Sequence, residues 1–157
     1  MRTARVIAAS NRAASGVYED RTGPVIASWL AERGYSVGDV LVVPDGEPVA
    51  AALRAAVSDR VTVVITTGGT GISPTDRTPE ATASVLDYQV PGLADAIRSA
   101  GLPKVPTAVL SRGVAGVVGG TLVVNLPGST GGVRDALTVL GPLLPHVVSQ
   151  LRGGDHV

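Results

Sequence analysis

The chain has 157 residues, of which 45% are hydrophobic, and its 13 basic residues balance its 13 acidic ones. This length predicts one domain, residues 1–157, that can bury a hydrophobic core without cross-links. The absence of cysteine excludes disulfides, thiolate metal sites and cysteine nucleophiles. The zero net charge gives no support to a nucleic-acid-binding surface, so we expect no nucleic-acid partner.

No stretch of the sequence reaches the roughly 18 uncharged apolar residues of a membrane-spanning helix. The apolar run near the N-terminus is short, and Asn11 and Arg12 interrupt it at once, which is unlike a secretory signal. We therefore expect a cytoplasmic protein without a membrane partner.

Apolar runs in the first half of the chain are predicted to form strands: Arg5–Ala9, Val37–Val43 and Val61–Thr66. The β-branched residues of the third run favour a central parallel strand. A polar loop over Asn11–Gly23 follows the first run. Helices are expected between the strands, one capped by Thr22 and ended by Gly34, the other over Val49–Val57.

Two further helices are predicted in the middle of the chain. Thr78 and Pro79 open the first, and Leu93 and Ile97 lie on one face of the second, which ends at Gly101. The regular alternation of strands and helices indicates βαβ units around a parallel sheet, which is an α/β fold.

The last two strands are predicted at Val105–Leu110 and Thr121–Asn125, with a glycine-containing turn within Arg112–Gly120. These two strands would form a hairpin or one antiparallel excursion of the sheet.

A long helix is expected to close the chain. Ser129 or Thr130 can cap it, and Pro142 and Pro145 are expected to kink or split it. The segment Gly153–Val157 is predicted to be a frayed tail.

In an open parallel sheet, ligands bind at the carboxyl ends of the strands. Four loops leave such ends: Ser10–Asp20, Pro44–Glu47, Thr67–Asp76 and Pro127–Thr130. These loops contain most of the unusual polar residues of the chain, and three of them carry acidic side chains. Their convergence predicts one shared site.

The segment Thr67–Gly71 has three glycines within four residues, which allow a tight turn that points N–H groups at an anion. No Gly-Lys-Ser/Thr follows, and the G-x-G-x-x-G spacing is absent, so neither a nucleotide P-loop nor a dinucleotide fingerprint is present. Taken alone, such a turn serves packing about as often as it binds phosphate.

Two aspartates next to these turns have competing interpretations. Asp76 is either a metal ligand or a hydrogen-bond acceptor for a polar substrate. Alternatively, its charge only interacts favourably with the dipole of the next helix, which is worth at most about 1 kcal/mol. Asp45 lies in a Pro-Asp-Gly tripeptide that is also typical of a plain turn. Their shared position at strand ends favours function for both.

Ser10, Ser111 and Ser129 are candidate hydroxyl groups for binding. The two histidines, His146 in the closing helix and His156 in the tail, lie near none of them, so a Ser-His-Asp triad is not expected. Four arginines lie in or beside the loops: Arg12, Arg21, Arg77 and Arg112. Most of them are expected to be solvated charges, although one or two could bind a phosphate through two hydrogen bonds.

The segment TTGGTGISPTDRTPEAT at Thr66–Thr82 resembles the molybdopterin-binding signature of the Mog/MoaB family of molybdenum cofactor biosynthesis, which includes the G domain of gephyrin. Five further segments match this family in the same order: SNRAASGVYEDRTG at Ser10–Gly23, VPDGEP at Val43–Pro48, PGLADAI at Pro91–Ile97, VPTAVLSRGVAG at Val105–Gly116 and TLVVNLPGSTGGV at Thr121–Val133. The resemblance covers nearly the whole chain.

This resemblance implies a three-layer α/β molybdopterin-binding fold, with helices flanking a mostly parallel sheet and a small β-hairpin excursion, and a homotrimer. It also implies a Mg²⁺-dependent adenylyltransferase. The phosphate of molybdopterin attacks the α-phosphorus of ATP, pyrophosphate leaves, and the adenylated pterin passes to a molybdate-inserting enzyme.

The resemblance assigns roles to particular residues. Asp45 and Asp76 match the two critical aspartates, which would act in catalysis and hold Mg²⁺ directly or through water. The residues that match substrate-binding positions are Ser10, Thr67, Gly68, Gly69, Thr70, Gly71, Ser111, Pro127, Gly128 and Ser129.

The chain departs from the family pattern at a few positions. Asn11 stands where relatives often have Asp, Gly46 is third in the Pro-Asp-Glu motif, and Ile72–Thr75 lacks an arginine before the aspartate. Two alternatives stay open, a pterin-binding member without catalysis and an assembly or scaffold protein. The lack of a long linker argues against the scaffold.

Overall fold

A computed structural model describes residues 2–154. The strands in chain order are β1 (Thr3–Ala9), β2 (Ser36–Val37), β3 (Leu41–Val43), β4 (Val63–Thr67), β5 (Tyr88–Gln89), β6 (Ala115–Val118) and β7 (Thr121–Leu126). The helices are α1 (Asn11–Ala14), α2 (Thr22–Glu32), α3 (Glu47–Ser58), α4 (Thr78–Ala83), α5 (Pro91–Ala100) and α6 (Thr130–Leu151), and a 3-10 helix covers Pro106–Leu110.

The strands form one sheet of seven, in the order β2-β1-β4-β7-β6-β5, with β3 also paired to β1. The pairs of β1 with β2, β3 and β4, and of β4 with β7, are parallel, whereas β6 is antiparallel to both β7 and β5. This confirms the predicted α/β fold with a mostly parallel sheet and a hairpin excursion.

Helices cover both faces of this sheet. Val6 and Ile7 of β1 are adjacent and fully buried, yet they belong to different core clusters because neighbouring side chains of a strand point to opposite faces. One cluster joins the sheet to helices α2, α5 and α6, and the other joins it to α3 and α4. The domain therefore has three layers.

The register of the parallel strands determines where the polar loops emerge. Ala9 of β1 pairs with Val43 of β3, Ala8 pairs with Thr67 of β4, and Thr67 pairs with Leu126 of β7. The four strands thus end at nearly the same level, and the loops that follow them leave from one edge. This confirms the predicted convergence of the four loops.

The predicted strand at Val105–Leu110 is wrong, because Pro106–Leu110 forms a 3-10 helix. Pro106 has no N–H for a sheet ladder, and Val109 and Leu110 stay exposed. The antiparallel partner of β7 is instead β6, and the hairpin turns at Gly119 and Gly120, where Gly119 has a φ of +57°.

The predicted strand Val37–Val43 is divided into β2 and β3, because Gly38 and Asp39 interrupt it while both halves pair with β1. The predicted loop Asn11–Gly23 contains the single-turn helix α1. Thr22 begins α2 but does not cap it, and the carboxylate of Asp20 accepts the N–H of Gly23 at 3.1 Å instead.

Helix α6 runs continuously through both prolines, so the expected split is wrong. Both proline rings are exposed, and the buried stripe of Leu140, Leu144 and Val148 continues past them against the core. Packing of this stripe offsets the missing N–H donors.

Ser129 caps α6 as predicted, since its Oγ accepts the N–H of Gly132 at 3.1 Å. The tail predicted to be frayed begins at Gly153, and its second residue, Gly154, donates its N–H to the Ser149 carbonyl at 2.9 Å. Residues 155–157, and with them His156, lie outside the described residues. In residues 2–154, no helix combines the length and the hydropathy needed to cross a membrane.

A buried amide joins the layers next to the loop edge. Asn125 of β7 donates from Nδ2 to the hydroxyls of Thr66 on β4, at 2.9 Å, and of Thr82 on α4, at 3.0 Å. Its Oδ1 accepts the N–H of Val114 at 3.1 Å. All the hydrogen-bonding groups of this amide are thereby used inside the protein, where an unpaired polar group would be costly.

Replacement of this amide tests its contribution to stability. Asn125→Leu leaves the Val114 N–H without its acceptor, and we expect the free energy of unfolding to fall by about 2–4 kcal/mol. Thr82→Val removes one hydrogen bond and leaves the amide bonded to Thr66, so it should cost only about 1 kcal/mol. Urea unfolding of both variants measures the two losses, and equal losses would contradict this role of Asn125.

Candidate active site

A cavity of about 410 Å³ opens at the loop edge of the sheet and is called the first cavity. All four strand-end loops line it. Eight of the predicted site residues are on its wall: Ser10, Asp45, Thr67, Gly68, Gly69, Asp76, Gly128 and Ser129. Arg12 and Arg21 line it as well, so two of the four loop arginines face a possible ligand.

A second cavity, of about 430 Å³, adjoins the first one. Its predicted residues are Gly69, Thr70, Gly71, Asp76, Ser111, Pro127, Gly128 and Ser129. Much of the remaining wall is apolar, with side chains of Ile72, Ile97, Val105 and Leu110. The sequence did not predict a separate second cavity, because two of these apolar residues belong to the segment that was expected to be a strand.

Four residues line both cavities: Gly69, Asp76, Gly128 and Ser129. They form a shared wall between the two spaces. A ligand in either cavity would therefore contact the same turn and the same carboxylate.

The glycine turn is held by close backbone packing. Gly68 has a φ of +89°, and a Cβ atom at this position would lie 2.5 Å from the carbonyl oxygen of Ala9. A Cβ at Gly128 would lie 3.3 Å from the Cα of Gly68. The loops after β1, β4 and β7 thus meet at Gly68, whose N–H donates to the carbonyl of Leu126 at 3.1 Å.

The next three N–H groups of this turn are available to a ligand. Within residues 2–154, the N–H groups of Gly69, Thr70 and Gly71 have no protein acceptor. Successive free N–H groups at a cavity wall attract an anionic oxygen. Gly68 uses its own N–H inside the protein, so the predicted anion binding would rest on the N–H groups of Gly69, Thr70 and Gly71.

The hydroxyl of Thr67 ties loops together. Its Oγ1 donates to the carbonyl of Pro127 at 2.8 Å, and it accepts the hydroxyl hydrogen of Thr22, which lies 2.9 Å away. Thr22 therefore acts through this buried pair and not as a helix cap. Thr67 lines the first cavity with its hydroxyl already bonded on both sides.

Asp45 connects its own loop to the start of α4. Its Oδ1 accepts the N–H of Gly46 at 2.7 Å and the hydroxyl of Thr78 at 2.9 Å, and its Oδ2 accepts the N–H of Arg77 at 3.0 Å. Asn11 fixes the same loop, since its Oδ1 accepts the backbone N–H of Asp45 at 3.0 Å. These bonds use most of the acceptor capacity of the carboxylate.

Asp76 is less engaged. Its Oδ2 accepts the N–H of Ser73 at 3.0 Å, whereas its Oδ1 has no donor among the described residues. The Arg77 N–H bonded to Asp45 follows Asp76 directly, so the two aspartates are brought to one wall. Asp76 therefore offers the freer carboxylate oxygen to a metal ion or substrate.

Arg112 lines neither cavity, and it holds the loop between them. Its Nε donates to the carbonyl of Gly71 at 2.8 Å, one Nη donates to the carbonyl of Asp76 at 3.0 Å, and its guanidinium pairs with Glu80 at 2.5 Å. The pair with Arg112 lowers the pKa of Glu80 and raises the pKa of Arg112. Nothing in the local sequence pattern indicates these contacts.

Three other predicted candidates have simple positions. Ser111 lines the second cavity and ends the 3-10 helix, while Arg77 contributes its backbone to the Asp45 network. His146 is exposed and hydrogen-bonded to Gln150 at 2.8 Å, as expected for a surface residue.

The fold and the site define an α/β domain with two adjoining cavities at the carboxyl ends of parallel strands. Residues 5–146 match the family described as "Probable molybdopterin binding domain". The chain is 62% identical to the molybdopterin biosynthesis Mog protein from Mycobacterium ulcerans, with a TM-score of 0.93 over 96% of this chain and 99% of that one.

Curated relatives agree with this match. The molybdopterin adenylyltransferase of Helicobacter pylori is 36% identical over 154 residues, covering 94% of this chain and 86% of the relative. A molybdenum cofactor biosynthesis bifunctional protein from Synechococcus elongatus is 41% identical over 98% of this chain, which spans only 48% of that relative. The chain belongs to the Mog/MoaB family of molybdenum cofactor biosynthesis.

Substitution of Gly68 tests the close packing of the three loops. Gly68→Ala must displace the Ala9 carbonyl and also strain a positive φ, so we expect a loss of about 3 kcal/mol or more in unfolding free energy. Gly34 is the matched control, because its φ of +87° is similar and a Cβ there meets nothing within 4 Å. Gly34→Ala should cost only about 1 kcal/mol in the same denaturation experiment, and equal costs would argue against the packing constraint.

The pair of Glu80 with Arg112 predicts a pH dependence. Because the folded-state pKa of Glu80 is lowered, the pair stabilises the fold above the ordinary value of 4.5 and is lost as pH falls through the lowered pKa. An NMR titration of the Glu80 carboxyl should give a midpoint below 4.5 in the wild type and a higher one in Arg112→Ala. The same midpoint in both proteins would show that the pair is not formed in solution.

Proposed function

We propose that this chain is a molybdopterin adenylyltransferase that transfers AMP from ATP to molybdopterin and releases pyrophosphate. The main support for this proposal is the wall that the two cavities share, at which ligands in the two cavities would meet. It is formed by Gly69, Asp76, Gly128 and Ser129. A transfer between two substrates needs such a meeting point, because the reacting groups must be held together in one geometry. The name of the Helicobacter pylori relative supports the same activity.

We assign molybdopterin to the second cavity and ATP to the first. The second cavity has the apolar side chains that can cover a flat heterocycle, together with Ser111 as a polar contact. The first cavity has Arg12 and Arg21, whose charges suit the triphosphate. Ser10 is on this side as well and would contact a phosphate or the sugar.

The residues of the shared wall suit Mg²⁺. No cluster of three or more acidic, cysteine or histidine side chains is found in residues 2–154, so a metal ion would need ligands from outside the protein. Mg²⁺ binds in this manner, through one or two carboxylates together with phosphate oxygens and water. Asp76 would hold it through its free Oδ1, with Asp45 as a second contact, and the ion would supply local neutralisation of the phosphate charges.

The chain's own residues would act mainly by positioning. The free N–H groups of Gly69, Thr70 and Gly71 would bind phosphate oxygens at the wall. The N-terminus of α6, capped by Ser129, would add favourable dipole charge on the same side. An oxygen of the pterin phosphate would then attack the α-phosphorus while pyrophosphate departs, and such transfers need little covalent help from the protein.

The assembly belongs to the same proposal. We propose a homotrimer in the cytoplasm that passes its adenylated product to a molybdate-inserting enzyme. The curated bifunctional relatives are about twice as long as this chain, which spans 48% and 49% of them, so any second activity would reside outside the region it matches.

Removal of the free carboxylate tests the proposed activity. Asp76→Asn should bind molybdopterin almost as tightly as the wild type, while its rate of adenylated-pterin and pyrophosphate formation should fall by about 100-fold or more. The matched control is Asp39→Asn, an exposed aspartate that lines neither cavity, and it should keep normal turnover.

The wild-type assay separates the alternatives. Incubation with molybdopterin, ATP and Mg²⁺ should release pyrophosphate and yield adenylated pterin. Tight pterin binding without pyrophosphate release would favour the non-catalytic binder, and absence of pterin binding would favour a scaffold. Normal turnover of Asp76→Asn would disprove the role given to Asp76.

A further inference from the structure

We propose that Arg112, paired with Glu80, is a positioning residue that holds the Thr70–Asp76 loop so that Asp76 faces both cavities. This inference rests on the proposed function for its kinetic readout. The contacts that carry it involve neither ligand nor metal. They concern one guanidinium, one carboxylate and the carbonyl groups at the two ends of a loop.

Arg112 closes the loop at both ends. Its backbone N–H donates to the Thr70 carbonyl at 2.7 Å, and its side chain donates to the carbonyls of Gly71 and Asp76 at 2.8 and 3.0 Å. One side chain thereby fixes the distance between positions 71 and 76. Only Arg has the planar fork that can serve two carbonyls and a carboxylate together.

The loop between these ends has little support of its own. The side chain of Ile72 is 67% exposed, and Ser73, Pro74 and Thr75 are exposed as well. Inside the loop, Ser73 and Asp76 are joined by two bonds, from the Asp76 N–H to the Ser73 carbonyl and from the Ser73 N–H to Asp76 Oδ2. These bonds shape the loop, and Arg112 anchors it to the rest of the domain.

The direction of the anchoring bonds matters for the site. The guanidinium draws the carbonyls of Gly71 and Asp76 to its side, and Arg112 itself is on the wall of neither cavity. The N–H groups of Gly69, Thr70 and Gly71 remain without protein acceptors beside the cavities. A loop without this anchor would lose the fixed orientation of the Asp76 carboxylate.

Glu80 is the partner that keeps Arg112 in place. It accepts from both Nη atoms of Arg112, at 2.5 and 3.3 Å, and it lies on α4, which packs against the core. The pair also balances the arginine charge with a carboxylate that is not Asp76. Asp76 therefore keeps its Oδ1 free of a salt bridge, as a metal or phosphate contact requires.

The kinetic test uses three variants and a control. Arg112→Ala should lower kcat by about 10- to 100-fold, the size of loss expected when a reacting group is misplaced. Arg112→Lys should lose nearly as much, because it keeps the charge but cannot bridge two carbonyls and a carboxylate, and Glu80→Gln should lose less. Arg54→Ala, which removes an exposed ion pair with Glu47 outside both cavities, should keep wild-type kcat and KM.

Two readouts separate positioning from a general loss of structure. Added guanidinium ion should restore part of the activity of Arg112→Ala and none of the activity of Asp76→Asn. Because Arg112 acts through Asp76, adding Arg112→Ala to Asp76→Asn should reduce kcat less than about twofold further. Full activity of Arg112→Lys, or independent multiplying losses in the double variant, would overturn the proposal.

Amide hydrogen exchange keeps the test independent of the proposed activity. Exchange over Ile72–Asp76 should accelerate in Arg112→Ala and Arg112→Lys and stay unchanged in Arg54→Ala. If the wild type binds molybdopterin but forms no adenylated product, the proposed function fails while this measurement still decides the role of Arg112. Unchanged exchange in Arg112→Ala would refute that role even if the enzyme is active.

Discussion

The backbone contact at Gly68 is the constraint on which the rest of the site depends. Strands β1, β4 and β7 end in register, so the loops that leave them must pass one another within van der Waals distance. A Cβ atom at Gly68 would lie 2.5 Å from the Ala9 carbonyl oxygen, and a Cβ atom at Gly128 would lie 3.3 Å from the Cα of Gly68. Glycine is therefore required before any ligand is considered. The same closeness lets the two cavities share one wall, at which the two proposed substrates would meet.

The polar residues around this wall divide into those that build it and those that remain free to act. The side chains of Asp45 and Thr67 are hydrogen-bonded to neighbouring loops, whereas Asp76 keeps one carboxylate oxygen without a hydrogen bond in the described part of the chain. The proposed binding of phosphates needs a positive potential, and in a chain with zero net charge this potential must be local. Backbone N–H groups and a few arginines can supply it.

The sequence predicted the parts of the fold that depend on local pattern and chain order. The alternation of elements gave the parallel sheet, and strand-end placement gave the four loops that meet at the first cavity. It was wrong at Val105–Leu110, where apolar residues next to a proline border a cavity and do not enter the sheet. An apolar run has the same appearance in both settings, since periodicity reports burial and not the surface against which a residue is buried. The contacts of Arg112 could not be predicted from the sequence pattern either, because its partners Gly71 and Asp76 are 41 and 36 positions away in the chain.

The wrong strand prediction at Val105–Leu110 and the apolar wall of the second cavity have the same physical cause. Ile72, Val105 and Leu110 expose 67%, 47% and 46% of their surfaces, which a stable core would not leave to water. Exposed apolar residues that gather around a concave surface are typical of binding sites, and local rules of folding tend to fail at functional positions. The apolar side chains and the anchored Asp76 loop, to which Ile72 itself belongs, line the same cavity. An exposed apolar surface thus lies next to the loop that Arg112 anchors.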